Sequence, residues 1–472
     1  MQYISTRGSA PALDFSGVTL AGLASDGGLY MPASWPRFSR DEIAEMRGLP
    51  YAELAARVMQ PFVGACLAPE RLGQLCEQAY TRFAHKAVTP LVQLDDTHWL
   101  LELFHGPTLA FKDVALQLLG LLFEEFLARE DGFLTIVGAT SGDTGSAAID
   151  AVTGRENMEI FMFHPMGRVS EVQRRQMTTL RAPNVHNIAL EGASFDGAQQ
   201  HVKRLFADAS VTGRHRIGAV NSINWARLAA QVAYYFAAAL QLGAPDRKIA
   251  FSVPTGNFGD VFAGYVAARM GLPVERLVVA TNVNDILHRA LTDGDYSTGK
   301  VTATATPSMD IQVSSNFERL LFDVGGRDGA SLAKQMRGFE EGGRMRLTKA
   351  QRSNISRRGA TALFSSARAE PGDMMRAMRW AWDNAGQAID PHTAIGLHAA
   401  LAQDLPGDVA VVTLATAHPA KFPDPVERAT GLRPSLPARI GDLYARKEAC
   451  TELPGDYAAV RDFILQNATS AG

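Results

Sequence analysis

The sequence is poor in cysteine, in long apolar runs and in excess charge, and each shortage removes a class of protein. Three cysteines, Cys66, Cys76 and Cys450, occur in 472 residues. None forms a CxxC pair, so neither a zinc site nor a disulfide framework is expected, and the count suits a reducing compartment. The longest apolar stretches, Leu116 to Leu122 and Val232 to Leu240, are too short to span a bilayer. The opening Met1-Gln2-Tyr3-Ile4-Ser5-Thr6-Arg7-Gly8 has no apolar core of signal-peptide length, so a cytoplasmic protein is expected. The formal net charge is -3, which offers no basic field to nucleic acid. An enzyme acting on anionic small molecules would have to gather positive groups locally. Two nucleotide signatures are also missing. There is no GxxxxGK[ST], and no GxGxxG follows a strand.

What is present is the composition of a soluble globular protein, with 46% hydrophobic and 20% charged residues. The length exceeds one ordinary core and predicts two or three domains. Helical spacing of apolar residues marks Tyr51 to Met59 and Pro69 to Ala84 within an N-terminal module, residues 1–95. From there strands and helices alternate. Trp99 to Phe104 reads as a strand and Asp113 to Arg129 as a helix. Phe133 to Val137 is a strand that runs into Gly138-Ala139-Thr140-Ser141-Gly142-Asp143-Thr144-Gly145 and a helix of small residues. Ile249 to Val253 repeats the plan, with Pro254-Thr255-Gly256-Asn257-Phe258-Gly259-Asp260 as its turn and a helix through Met270. Val409 to Leu414 is a late strand. Strand, Gly-rich turn and helix in succession predict open α/β sheets, a smaller domain over 96–245 and a larger one over 246–472. The stretch from Asp293 to Arg358 is polar and irregular and reads as an insert. Ligands in such sheets sit at the carboxyl ends of strands, so the turns should share a crevice.

Each motif has a chemical reading and a plainer one. The turn Gly256 to Gly259 offers unpaired N–H groups at a helix start, which suits a phosphate, but is also an ordinary strand-to-helix turn. The turn Thr140 to Gly145 adds hydroxyls and a carboxylate; Ser, Thr and Asp are equally good helix caps. Lys112, beside Leu109, Ala110 and Phe111, can lose its proton in apolar surroundings and attack a carbonyl, or snorkel at the surface. Arg227 offers a bidentate clamp for phosphate or carboxylate, while Asn224 before it can cap a helix. Thr416, after the late strand, can cap a helix or meet a ligand nitrogen. Asp390-Pro391-His392-Thr393-Ala394 reads as a capped helix start more readily than as a proton-transfer histidine.

Taken in order, these blocks resemble threonine synthase, in its longer bacterial and fungal type. The resemblance rests on His105-Gly106-Pro107-Thr108-Leu109-Ala110-Phe111-Lys112-Asp113, Ala139 to Gly145, Asn221-Ser222-Ile223-Asn224 and Pro254 to Asp260. It rests equally on Met309-Asp310-Ile311 with Ser315-Asn316-Phe317-Glu318-Arg319, on Asp390 to Ala394, and on Ala415-Thr416-Ala417-His418-Pro419-Ala420-Lys421-Phe422. It implies an α/β enzyme of the type II pyridoxal-phosphate fold with an N-terminal extension. It also implies a reaction, O-phospho-L-homoserine and water to L-threonine and phosphate, the last step of threonine biosynthesis. A related phospho-lyase giving 2-oxobutyrate, ammonia and phosphate is the alternative.

By the same resemblance Lys112 carries pyridoxal 5'-phosphate as a Schiff base. Gly256, Asn257, Phe258, Gly259 and Asp260 cradle its phosphate, and Thr416 meets the ring nitrogen. Thr140, Ser141, Thr144, Asn221 and Arg227 hold the substrate's carboxylate and phosphate. Many type II enzymes place Asn where Asp143 stands, beside the cofactor's phenolic oxygen; the longer threonine synthases share the Asp. An ionised Asp there repels that oxygen unless a proton is shared. The expected partner is the small substrate, with no nucleic acid and no membrane, on a monomer or homodimer.

Overall fold

A computed structural model describes residues 1–356 and 363–469. Two sheets organise them. The larger has six strands in the order Phe364–Arg368, Val274–Thr281, Ile249–Pro254, Ala410–Ala415, His98–Glu102 and Leu91–Gln93. All neighbours are parallel except the last pair. The smaller has five parallel strands in the order Thr451–Pro454, Val185–Glu191, Met158–Pro165, Leu134–Ala139 and Ile217–Gly218. Parallel strands are covered by helices on both faces and so read as continuous apolar runs. Met158–Pro165 and Ile249–Pro254 are buried at every position.

The helix Lys112–Glu130 is apolar nearly all round, as a helix enclosed by other elements must be. Trp225–Gln241 lies beside it and also packs on Tyr51–Val63 and Gly259–Arg269. Its alanines let the neighbours approach closely. Trp225 is fully buried, with ring centroids 5.9 Å from Tyr3, 5.6 Å from Phe62 and 6.3 Å from Trp35. One contiguous core runs from Tyr3 to Leu414, so the first ninety residues share the core of the α/β part. No helix among the described residues is long and apolar enough to cross a membrane.

The strand order crosses the expected boundaries. His98–Glu102 falls within 96–245 but pairs with Ala410–Ala415 in the larger sheet. Thr451–Pro454 falls within 246–472 but pairs with Val185–Glu191 in the smaller one. Parallel pairing joins segments hundreds of residues apart, which a local apolar pattern does not encode. The stretch expected as an irregular insert contains three helices, Phe317–Val324, Gly329–Gly342 and Lys349–Ser356. Residues 357 and 358, its expected end, lie outside the described residues.

Candidate active site

The strands Leu134–Ala139, Ile249–Pro254 and Ala410–Ala415 end at one cleft. It is lined by Lys112, Thr140, Ser141, Asp143, Thr144, Asn221, Arg227, the run from Gly256 to Asp260, and Thr416. Every residue selected from the sequence is therefore brought together. Gln199, Gln231, Ser308, Met309, Ile311 and His392 also line it.

Lys112 opens its helix from a loop that is clamped on both sides. Asp113 accepts from the Thr108 backbone N–H (2.8 Å) and hydroxyl (2.7 Å). A Cβ on Gly106 would lie 2.4 Å from Asp113 Cβ, so only glycine admits this fold-back. The Phe111 N–H donates to the Thr416 carbonyl (2.9 Å), and Ala110 bridges to Ala417. The lysine and the segment after the late strand are thus one unit. Lys112 Nζ lies 4.7 Å from the Phe111 ring centroid and donates to Asp143 Oδ2 at 3.2 Å. Burial pulls the Lys112 amine below its ordinary value. Asp143 opposes this, and Arg227 and Lys421 add to it.

Asp143 is enclosed by donors. Lys421 Nζ lies 2.7 Å from Oδ1 and Gln173 donates to the same oxygen at 2.8 Å. Burial alone would raise this carboxyl, but Lys112 and Lys421 outweigh it and hold it well below the carboxylate range. In the turn itself, Thr140 Oγ1 accepts the N–H groups of Gly142 (2.9 Å) and Gly145 (2.8 Å). The Thr140 oxygen therefore shapes the turn, while Ser141 and Thr144 are its other hydroxyls lining the cleft. Gly142 has φ of +136°, and a Cβ there would meet Gln173 Cδ at 2.4 Å.

The second turn is held from behind. Ser314 Oγ donates to the Gly256 carbonyl (2.7 Å), and Asn316 Nδ2 donates to the carbonyls of Asn257 (2.9 Å) and Ser222 (3.1 Å). Arg319 pairs with Asn316 and donates to the carbonyls of Ile223 (2.6 Å) and Tyr30 (3.1 Å). With the carbonyls tied back, the N–H groups of Gly256, Asn257, Phe258 and Gly259 are left without an acceptor among the described residues. Asp260 follows, on the first turn of the helix. Tyr235 donates to its Oδ1 at 3.0 Å, Tyr234 donates to the same atom, and Oδ2 has no partner among the described residues. Burial raises the Asp260 carboxyl to about 6 despite those bonds and the nearby Lys112 and Arg227.

Arg227 donates to the Val220 carbonyl (3.1 Å), and its Nε is unpartnered among the described residues. Burial pulls it down to about 10, against Tyr234 and Asp260. Asn224 caps the helix, accepting from the Ala226 N–H (3.0 Å) and donating to the Thr19 carbonyl (2.8 Å). Asp390 likewise caps its helix, as the plainer reading had it, and accepts from His392 Nδ1 at 2.8 Å. His392 Nε2 is unpartnered among the described residues. Sequence reasoning gave Lys421 and Gln173 no task. Lys421 stood inside a quoted block, and an unassigned lysine in an apolar run was the signal available.

Comparison with known proteins gives a consistent picture. The family model described as threonine synthase N terminus matches residues 2–80, that of pyridoxal-phosphate dependent enzymes matches 83–336, and that of threonine synthase, C-terminal, matches 393–464. The chain is 53% identical to the threonine synthase of Pseudomonas aeruginosa, over 99% of this chain and 98% of that one. Its fold is similar to that of the pyridoxal-phosphate-bound threonine synthase of Brucella melitensis, with a TM-score of 0.94, 48% identity and 99% of each chain covered. The yeast threonine synthase structure gives a TM-score of 0.90 at 37% identity, covering 99% of this chain and 98% of that one.

Proposed function

The chain belongs to the threonine synthase family of pyridoxal-phosphate enzymes, and we propose that the cleft at the strand ends is where its residues do this chemistry. It is a fold type II enzyme that uses pyridoxal 5'-phosphate and converts O-phospho-L-homoserine and water to L-threonine and phosphate. The observation that carries the residue assignment is the pairing of a buried amine of lowered basicity, Lys112, with a turn whose N–H groups have no acceptor in the same cleft.

Those features fit the cofactor. Gly256 to Gly259 and the first turn at Asp260 offer N–H groups and a helix dipole to its phosphate. Lys112 offers an amine for its aldehyde, and Thr416 a hydroxyl for its ring nitrogen, a weak partner that need not leave that nitrogen protonated. When bound, pyridoxal phosphate supplies a carbonyl for the substrate amino group and a ring that takes up negative charge from the α-carbon. The residues of the chain do the rest. Lys112 Nζ takes the proton from the substrate Cα and returns one later, which requires that it be neutral. Arg227, buried at the cleft with its Nε unpartnered among the described residues, neutralises the departing phosphate. Ser141, Thr144 and Asn221 orient the rest of the substrate. Thr140 keeps the turn in shape.

Borohydride reduction followed by peptide mapping tests the assignment. The cofactor should be found on Lys112. Lys112→Ala should lose the absorbance of bound cofactor and drop threonine formation by about 10²–10⁴-fold or more. A variant that kept both would refute it.

A further inference from the structure

The contact between Lys112 and Asp143 has a third member to which the chemistry above gives no task. Lys421 is fully enclosed, at 0% exposure. Its Nζ lies 2.7 Å from Asp143 Oδ1 and donates to the Thr108 carbonyl at 2.8 Å. Lys112 reaches the other carboxylate oxygen at 3.2 Å. Two ammonium groups on one carboxylate would leave a net positive charge on buried side chains, which is costly. The shorter and more enclosed contact is the one with Lys421. That pair satisfies Asp143, and the proton that can leave is the one on Lys112. Lys421 also ties the loop before Lys112 to the turn that carries Asp143, since the Thr108 it binds is held in turn by Asp113.

We infer that Lys421 is a positioning residue, a permanent counter-ion of Asp143 that leaves Lys112 free to act as a neutral amine. The inference rests on the reading of Lys112 as the cofactor lysine. The charged groups facing Lys112 are Asp143, Arg227, Lys421 and Asp260. Those facing Lys421 are Asp143, Lys112, Asp113 and His418. Among the described residues, only Asp143 pairs with both lysines. Without the Lys421 charge, Asp143 becomes a counter-ion for Lys112 alone, and an opposite charge at this range raises an amine by about 1–3 pKa units.

The test is the pH profile of cofactor capture by the full-length apoprotein. The rate at which pyridoxal phosphate condenses with Lys112 is followed by absorbance and confirmed by borohydride trapping and peptide mapping. Lys421→Met should move the midpoint up by at least about one unit, so that capture near neutral pH slows about tenfold and recovers in alkali. Lys421→Arg should keep the wild-type profile. In the double variant Asp143→Asn/Lys421→Met both charges are gone, and the midpoint should return towards wild type. A Lys421→Met profile that superimposes on wild type, or is lowered equally at every pH, overturns the inference. Should Lys421→Met fail to fold, Lys421→Gln takes its place with the same expected rise, and an unmoved midpoint overturns the inference. Wild-type cofactor trapped on another lysine would instead refute the reading of Lys112 itself.

Discussion

Asp260 carries a carboxyl at the start of a helix, where the dipole favours a negative charge, yet burial keeps it from ionising until about pH 6. The sign of its effect on stability follows. A carboxyl raised above its ordinary 3.8 contributes stability that is fully present below that value and is lost as pH rises through about 6. Asp260→Asn removes the titration, so the apoprotein variant should gain on wild type by about 1–3 kcal/mol between pH 4 and pH 8. Urea denaturation at both pH values measures this, and a difference that does not change with pH would contradict it. Residues such as Lys112, Thr416 and the Gly256 turn were legible in the sequence because each lies in an ordered local motif. Lys421 was not. Its partners are set by folding across 313 residues in the case of Thr108, and no spacing in the chain encodes that contact.

At the scale of elements, the two turns work because other segments hold them. Asn316 is the clearest support, with bonds to the carbonyls of Asn257 and Ser222. Asn316→Ala should release the Gly256 to Gly259 turn and weaken pyridoxal phosphate binding by about 5–150-fold, since a lost buried bond costs about 1–3 kcal/mol. Fluorescence titration of the apoprotein with the cofactor checks this, and unchanged affinity would count against the support role. Gly142→Ala should be worse. The positive φ and the 2.4 Å approach to Gln173 leave no room for a Cβ, so Gln173 must leave Asp143. A fall in thermal midpoint together with weaker cofactor binding is the expected result. The strand–turn–helix units were readable from apolar runs and glycine. The helices Phe317–Val324 and Gly329–Gly342 were hidden by the glycines that punctuate them, although Phe317, Leu320, Leu321 and Val324 recur at helical spacing.

At the scale of the whole molecule, the chain leaves the larger sheet after Ala410–Ala415 and returns to finish the smaller one. Thr451–Pro454 adds its edge strand, and Val460 and Ile464 of Tyr457–Asn467 pack in the same cluster as Val137, Phe161, Phe163 and Ile188. A chain ending at Gly441 should therefore expose that cluster, bind hydrophobic dyes and lose cooperative unfolding, which dye fluorescence and a thermal scan would show. The N-terminal module, in turn, reaches the site through Tyr30 and Thr19, which hold Arg319 and Asn224. As a member of the threonine synthase family the protein should add water to its substrate and not simply eliminate phosphate from it. This is tested most directly by incubating the purified protein with pyridoxal phosphate and O-phospho-L-homoserine and identifying the products. Threonine and phosphate in equal amounts are predicted; 2-oxobutyrate and ammonia with phosphate, and no threonine, would contradict the account.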